Sequence, residues 1–93
     1  MEEQAKQLAH LLHLMANENR LLILCALESK PQRVQELQAH VPGISQPALS
    51  QHLALLKSAG IIDSVKSAQH VCYSIADQRV CEVMKTLRAN YCK

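Results

Sequence analysis

Residues 45–62 read SQPALSQHLALLKSAGII, and the spacing of their apolar side chains decides the fold. With Ser45 as N-cap, Pro47 falls in the first helical turn, where a missing N–H costs nothing. At about 100° per residue, Leu49, Leu53, Leu56, Ala48, His52 and Leu55 share one arc. Gln46, Ser50, Gln51, Ala54, Lys57 and Ser58 share the other. That second arc is polar and flat. Small side chains let a helix axis approach the floor of a DNA major groove, and glutamine can make paired hydrogen bonds with adenine. A recognition helix turns its N-terminal residues to base edges, which here are Gln46, Pro47, Ser50 and Gln51. Ser45 and the N–H groups of the first turn suit a phosphate. An isolated amphipathic helix would show the same face to solvent alone, so its neighbours carry the decision.

Upstream, Leu8, Leu11, Leu12 and Met15 recur at helical spacing and predict a first helix over Glu3 to Met15. NENRLLILCALESK follows, with Asn17 or Asn19 as a cap and an apolar run from Leu21 to Leu27, so the second helix is expected to be buried on most sides. Pro31 stops it. RVQELQAH predicts a short third helix, closed by a turn at Val41 to Gly43. Downstream of Gly60 the period changes from helical to alternating: Val71, Tyr73 and Ile75 face one way, His70, Cys72 and Ser74 the other. Two short strands around a tip at Lys66 to Gln69 make a β-hairpin. Asp77 caps a last helix with the stripe Val80, Val83, Met84, Leu87 and Tyr91. The predicted class is mainly α with a small β-hairpin, in the order of a winged helix-turn-helix.

Composition bounds the function. The 93 residues suit one domain, spanning 1–93, that gains from further burial in an oligomer. The core must be aliphatic, because the chain lacks Trp and Phe. No apolar run approaches the roughly eighteen residues of a membrane span, and MEEQAKQ lacks a signal-peptide layout, so no membrane and a cytoplasmic location are expected. There the four cysteines would stay reduced rather than form a disulfide framework. A net charge of +2 permits nucleic-acid binding without announcing it. No carboxylate pair, nucleophile-base set or phosphate loop appears, so an enzyme is not expected, and no cofactor is implied.

LMANENRLLILCAL, ISQPALSQHLALLKSAGII and VCYSI together resemble the ArsR-type (ArsR/SmtB) bacterial transcriptional regulators, over essentially the whole chain. The resemblance implies a homodimeric winged-helix repressor, paired through its first and last helices, that binds an inverted-repeat operator in double-stranded DNA and leaves it when an effector acts. It also implies DNA contacts from Gln46, Ser50 and Gln51 and from Lys66 and Gln69 at the wing tip.

Metal sensing is the chemistry that gives this family its name. Its soft-metal sensors carry a cysteine pair directly after an EL dipeptide, since thiolates at that spacing share one ion. Here Glu36-Leu37 is followed by Gln38, Ala39 and His40. The positions matching the last-helix zinc ligands hold Asp77, Arg79, Asn90 and Lys93, of which three cannot bind zinc. No metal site is therefore expected. His10 and His13 are read as surface or dimer-contact residues, and His52 as a hydrogen-bonded structural histidine.

Cys25 and the C-terminal Cys92 sit where the BigR and HlyU type subgroup senses sulfide, persulfide or oxidants. This closer resemblance implies a reactive sulfur or oxidant inducer that links the two. Cys72 and Cys81 have no counterpart, and either could serve as a partial metal ligand or an alternative resolving thiol. The competing readings are a metal-sensing repressor, an anti-silencing activator of the HlyU kind, and a winged helix used only for protein contacts.

Overall fold

The side chain of Asn17 accepts the backbone N–H groups of Asn19 (3.0 Å) and Arg20 (3.1 Å), and this cap starts the second helix. The computed structural model describes residues 1–91. Its elements run α1 (Glu2–Met15), α2 (Glu18–Ser29), β1 (Gln32–Arg33), α3 (Val34–His40), α4 (Gln46–Ser58), β2 (Ile62–Ser67), β3 (His70–Ile75) and α5 (Gln78–Tyr91). This is a winged helix-turn-helix: α3 and α4 form the helix-turn-helix, and β2 and β3 the wing. Among the described residues, no helix is long and apolar enough to cross a membrane.

The core lies between the helices and the sheet. Leu49, Leu53 and Leu56 of α4 are buried with Ile23, Leu24 and Leu27 of α2, and Val80 and Met84 of α5 close the cluster. Two local devices aim the chain at the wing. The N–H of Gly60 donates to Lys57 O (3.0 Å) and that of Ile61 to Leu56 O (3.0 Å), which is the hydrogen-bond pattern of a Schellman ending. Gly60 takes φ +77°, a conformation that glycine adopts without a Cβ penalty. Ile61 O then accepts from Ala76 N (2.9 Å) and Asp77 N (3.2 Å), closing the base of the hairpin.

The structure departs from the sequence expectation in four places. Gln32 and Arg33 pair antiparallel with Tyr73 and Cys72, so the hairpin is part of a three-stranded sheet in the order β1-β3-β2. Gln32 is buried, and its amide donates to Ala26 O (2.7 Å), which fixes the strand against α2. The second helix is not buried on most sides: Ile23, Leu24, Ala26 and Leu27 are, but Leu21 and Leu22 are exposed on the face toward α5. Leu55 likewise leaves the buried arc of α4 and is exposed. Finally, the stripe on α1 is covered only at its C-terminal end. Leu14 and Met15 are buried, whereas Leu8 is 51% and Leu12 48% exposed.

Candidate nucleic-acid interface and thiol site

Ser45 caps α4 through its Oγ, which accepts the N–H of Ala48 at 3.3 Å. Pro47 has no N–H, so the first turn offers a phosphate fewer donors than the sequence implied. Gln46, Pro47, Ser50 and Gln51 are exposed at the N-terminal end of the helix, as a groove-reading face requires. At the other end the polar arc is partly engaged within the chain. Lys57 Nζ donates to Ser64 Oγ (2.7 Å), tying the helix to the wing strand, and Ser58 Oγ donates to Leu55 O (2.9 Å).

Gln38 sets the turn that delivers α4. Its amide nitrogen donates to Ile44 O (2.8 Å) and Val41 O (3.3 Å), while its Oε1 is buried without a partner among the described residues. His52 is half-buried and sits 3.4 Å from the Arg20 guanidinium, whose Nε donates to Leu14 O (2.6 Å). That contact agrees with a structural histidine and joins α1, α2 and α4.

The wing carries Lys66 opposite Val71 and turns through Ala68 and Gln69, all exposed. Sequence reasoning missed two basic residues beside them. The Arg33 guanidinium lies 3.3 Å from His70 Nδ1 and 3.4 Å from Nε2, both side chains exposed. Arg33 is fixed in turn because its backbone N–H donates to Glu36 Oε1 (2.9 Å), and this bond foremost holds the Glu36 carboxyl below its ordinary range. The only sequence signal for the pair was a lone arginine two residues after Pro31.

Cys25 is half-buried on the face of α2 toward α5. It lies between two cavities. The larger, about 540 Å³, is apolar, with Leu21 and Leu22 facing Met84, Leu87 and Tyr91. The smaller, about 200 Å³, brings Ser29, His40 and Arg88 to the same thiol. Arg88 forms an ion pair with Glu28 that joins α5 to α2 beside Cys25. Cys92 lies outside the described residues; its neighbour Tyr91 lines the larger cavity. Cys72 and Cys81, both half-buried, line neither cavity.

Comparison with known proteins gives this geometry its context. Residues 17–64 match the family described as "Bacterial regulatory protein, arsR family". The chain belongs to the ArsR family. The transcriptional activator HlyU of Vibrio cholerae is 40% identical over 93 residues, covering 100% of this chain and 85% of HlyU. Its structure superposes with a TM-score of 0.92, covering 100% of both chains. The transcriptional regulator YgaV of Escherichia coli is 39% identical, with 99% of this chain and 93% of YgaV covered. The repressor BigR of Xylella fastidiosa superposes with a TM-score of 0.87 at 29% identity, covering 100% of this chain and 94% of BigR. The protein is thus a bacterial DNA-binding transcriptional regulator of the BigR and HlyU subgroup.

Within the ArsR family this chain holds its metal-site positions differently from a metal sensor. Gln38, where a cysteine would stand, braces the helix-turn-helix turn. Asp77 caps α5 by accepting the Arg79 N–H (2.9 Å), and the Arg79 guanidinium returns to both carboxylate oxygens (3.1 and 2.7 Å). The Arg79 side-chain hydrogen bonds hold the Asp77 carboxyl below its ordinary range, and the same bonds hold Arg79 more firmly protonated. Among the described residues, no three His, Cys, Asp or Glu side chains converge on one point.

Proposed function

We propose that residues 1–93 act as one homodimeric repressor domain that binds an inverted-repeat operator and releases it when a reactive sulfur or oxidant species links Cys25 to Cys92. On DNA, Gln46, Pro47, Ser50 and Gln51 read base edges, Ser45 and Lys57 meet the backbone, and Lys66 and Gln69 extend the contact from the wing. A two-fold axis relating two α4 helices sets half-sites about one helical turn, roughly 34–36 Å, apart. The dimer pairs through α1 and α5, whose apolar side chains stand partly uncovered in one protomer.

One observation carries the switch. Cys25 and Tyr91, the residue before Cys92, line the same cavity between α2 and α5. With a peroxide, the two thiols lose two protons and two electrons to form the link, and the peroxide becomes two waters or their alcohol equivalent. The link clamps the end of α5 to α2, which packs on α4 through the shared core. A small change there alters the spacing of the two reading helices, and a coupling of about 1–3 kcal/mol is a 5- to 150-fold loss of affinity. HlyU bears the name of an activator and BigR that of a repressor. Repression is the reading here because occupying a promoter needs operator binding and nothing further.

The test is operator affinity before and after treatment with persulfide or peroxide. Treated protein should bind more weakly and recover with dithiothreitol. Cys25→Ser and Cys92→Ser should each abolish the response with reduced binding intact, and Cys72→Ser and Cys81→Ser should not. Release by the Cys25→Ser protein, or an oxidised link found at Cys72 or Cys81, overturns the assignment.

A further inference from the structure

The two cavities beside Cys25 share one wall, made by Leu22 and the thiol residue itself. Their chemistry differs. The larger offers aliphatic and aromatic side chains, whereas the smaller offers a hydroxyl, an imidazole and a guanidinium. Ser29 Oγ donates its proton to Ala26 O (2.9 Å), so only its lone pairs remain for a ligand. The ionisable groups at the smaller cavity are Cys25 from α2, His40 from α3 and Arg88 from α5, with Glu28 bonded to Arg88. Glu28 and Arg88 cancel in formal charge. The balance therefore turns on His40, because histidine is the side chain whose charge changes between about pH 5 and pH 8.

We propose that this smaller cavity is a charge-selective entrance to Cys25, in which His40 and Arg88 draw in a small anionic sulfur species such as a polysulfide anion. The proposal deepens the reading of Cys25 as the sensing thiol by naming the side from which it is reached and the residues that select its reagent. His40 and Arg88 are positioning residues: they set the local potential, and Cys25 does the reacting. A larger apolar thiol reagent meets no such preference through the cavity on the other side.

The selection is measurable without DNA. In the full chain carrying Cys72→Ser, Cys81→Ser and Cys92→Ser, Cys25 is alkylated in parallel by iodoacetate and by iodoacetamide. In both reactions the thiolate displaces iodide, so the ratio of the two rates cancels the fraction of thiolate and reports the charge around it. At low ionic strength this ratio should rise about threefold or more between pH 8 and pH 5.5, and molar salt should level it. His40→Gln should flatten the pH dependence. Arg88→Gln should lower the ratio by about threefold at every pH, and Arg88→Lys, which keeps the charge, should retain it. A ratio that does not change with pH, that ignores His40→Gln, or that falls equally in Arg88→Lys and Arg88→Gln overturns the proposal. A wild-type chain that shows the selection yet stays on its operator when treated with polysulfide refutes the switch and leaves the entrance standing.

Discussion

Helices α4 and α1 carry the same kind of apolar periodicity and end in opposite states. In α4, Leu49, Leu53 and Leu56 are fully enclosed, the N-terminus is capped by Ser45, and the C-terminus closes in a Schellman ending. In α1, the stripe emerges from the core after Met15 and Leu14, and Leu8 and Leu12 stand about half in water. The last helix behaves like α1: Val80 and Met84 are buried, but Val83 and Tyr91 are exposed. A leucine kept out of water contributes about 1.5–3 kcal/mol, so an uncovered stripe is a substantial stabilisation that one protomer does not realise. The reading helix is complete within a single chain. The outer helices are completed by a second copy, which is the physical content of the proposed dimer.

The sharpest way to break this contrast is to charge the uncovered stripe. Leu8→Glu with Leu12→Glu removes four leucines from a two-fold interface and should weaken the dimer by roughly 6 kcal/mol or more. Sedimentation equilibrium should then report a monomer, with a near-normal thermal unfolding signal because neither residue belongs to the protomer core. Operator affinity should fall by about 100-fold or more, since the second half-site contact becomes bimolecular again. A double variant that stays dimeric would place the interface elsewhere.

A smaller effect tests the α4 side. Gln46→Ala or Gln51→Ala should cost about 1–3 kcal/mol on the preferred operator and little on other sequences, relaxing specificity at one base pair per half-site. Lys66→Ala in the wing should weaken all sequences alike and reduce the slope of log affinity against log salt by about one. Titrations of selected and scrambled duplexes at two or more salt concentrations separate the two behaviours. Equal losses on both duplexes for the Gln variants would remove them from the base-reading face.

What could be read from the sequence follows the range of the interactions involved. The Asn17 and Ser45 caps, the stop at Pro31 and the turn at Gly60 are decided within a few residues, and the structure has each of them. Strand β1 was not legible, because two residues cannot display an alternation and their partners Tyr73 and Cys72 lie forty residues away in number. The exposure of Leu21 and Leu22 was hidden for a related reason. An apolar run shows that a helix is buried somewhere, while the crossing of α5 decides which face stays open. At the candidate site, the polar arc of α4 was readable from its own spacing. The surroundings of Cys25 were not, since Glu28 and Arg88 meet across sixty positions and His40 arrives from a third helix. The Arg33–His70 contact across the sheet escaped for the same reason.

The smallest expected effect concerns the wing tip, the one place where the DNA-facing half carries visible backbone strain. Ser67 pairs with His70, so the chain must reverse through Ala68 and Gln69, and Ala68 takes φ +55° to do it. The left-handed conformation costs an L-residue with a Cβ about 1–2 kcal/mol, whereas glycine adopts it freely. Glycine also gains entropy in the unfolded chain, which returns roughly 0.4–1 kcal/mol of that difference. Ala68→Gly should therefore stabilise the protein by a few tenths of a kcal/mol to about 1 kcal/mol, raising the thermal midpoint by a few degrees. The variant leaves Lys66 and Gln69 in place, so its operator affinity and salt slope should match the parent. A lower midpoint would show that the tip reverses by another geometry, and the register Lys66 to Val71 would then need to shift with it.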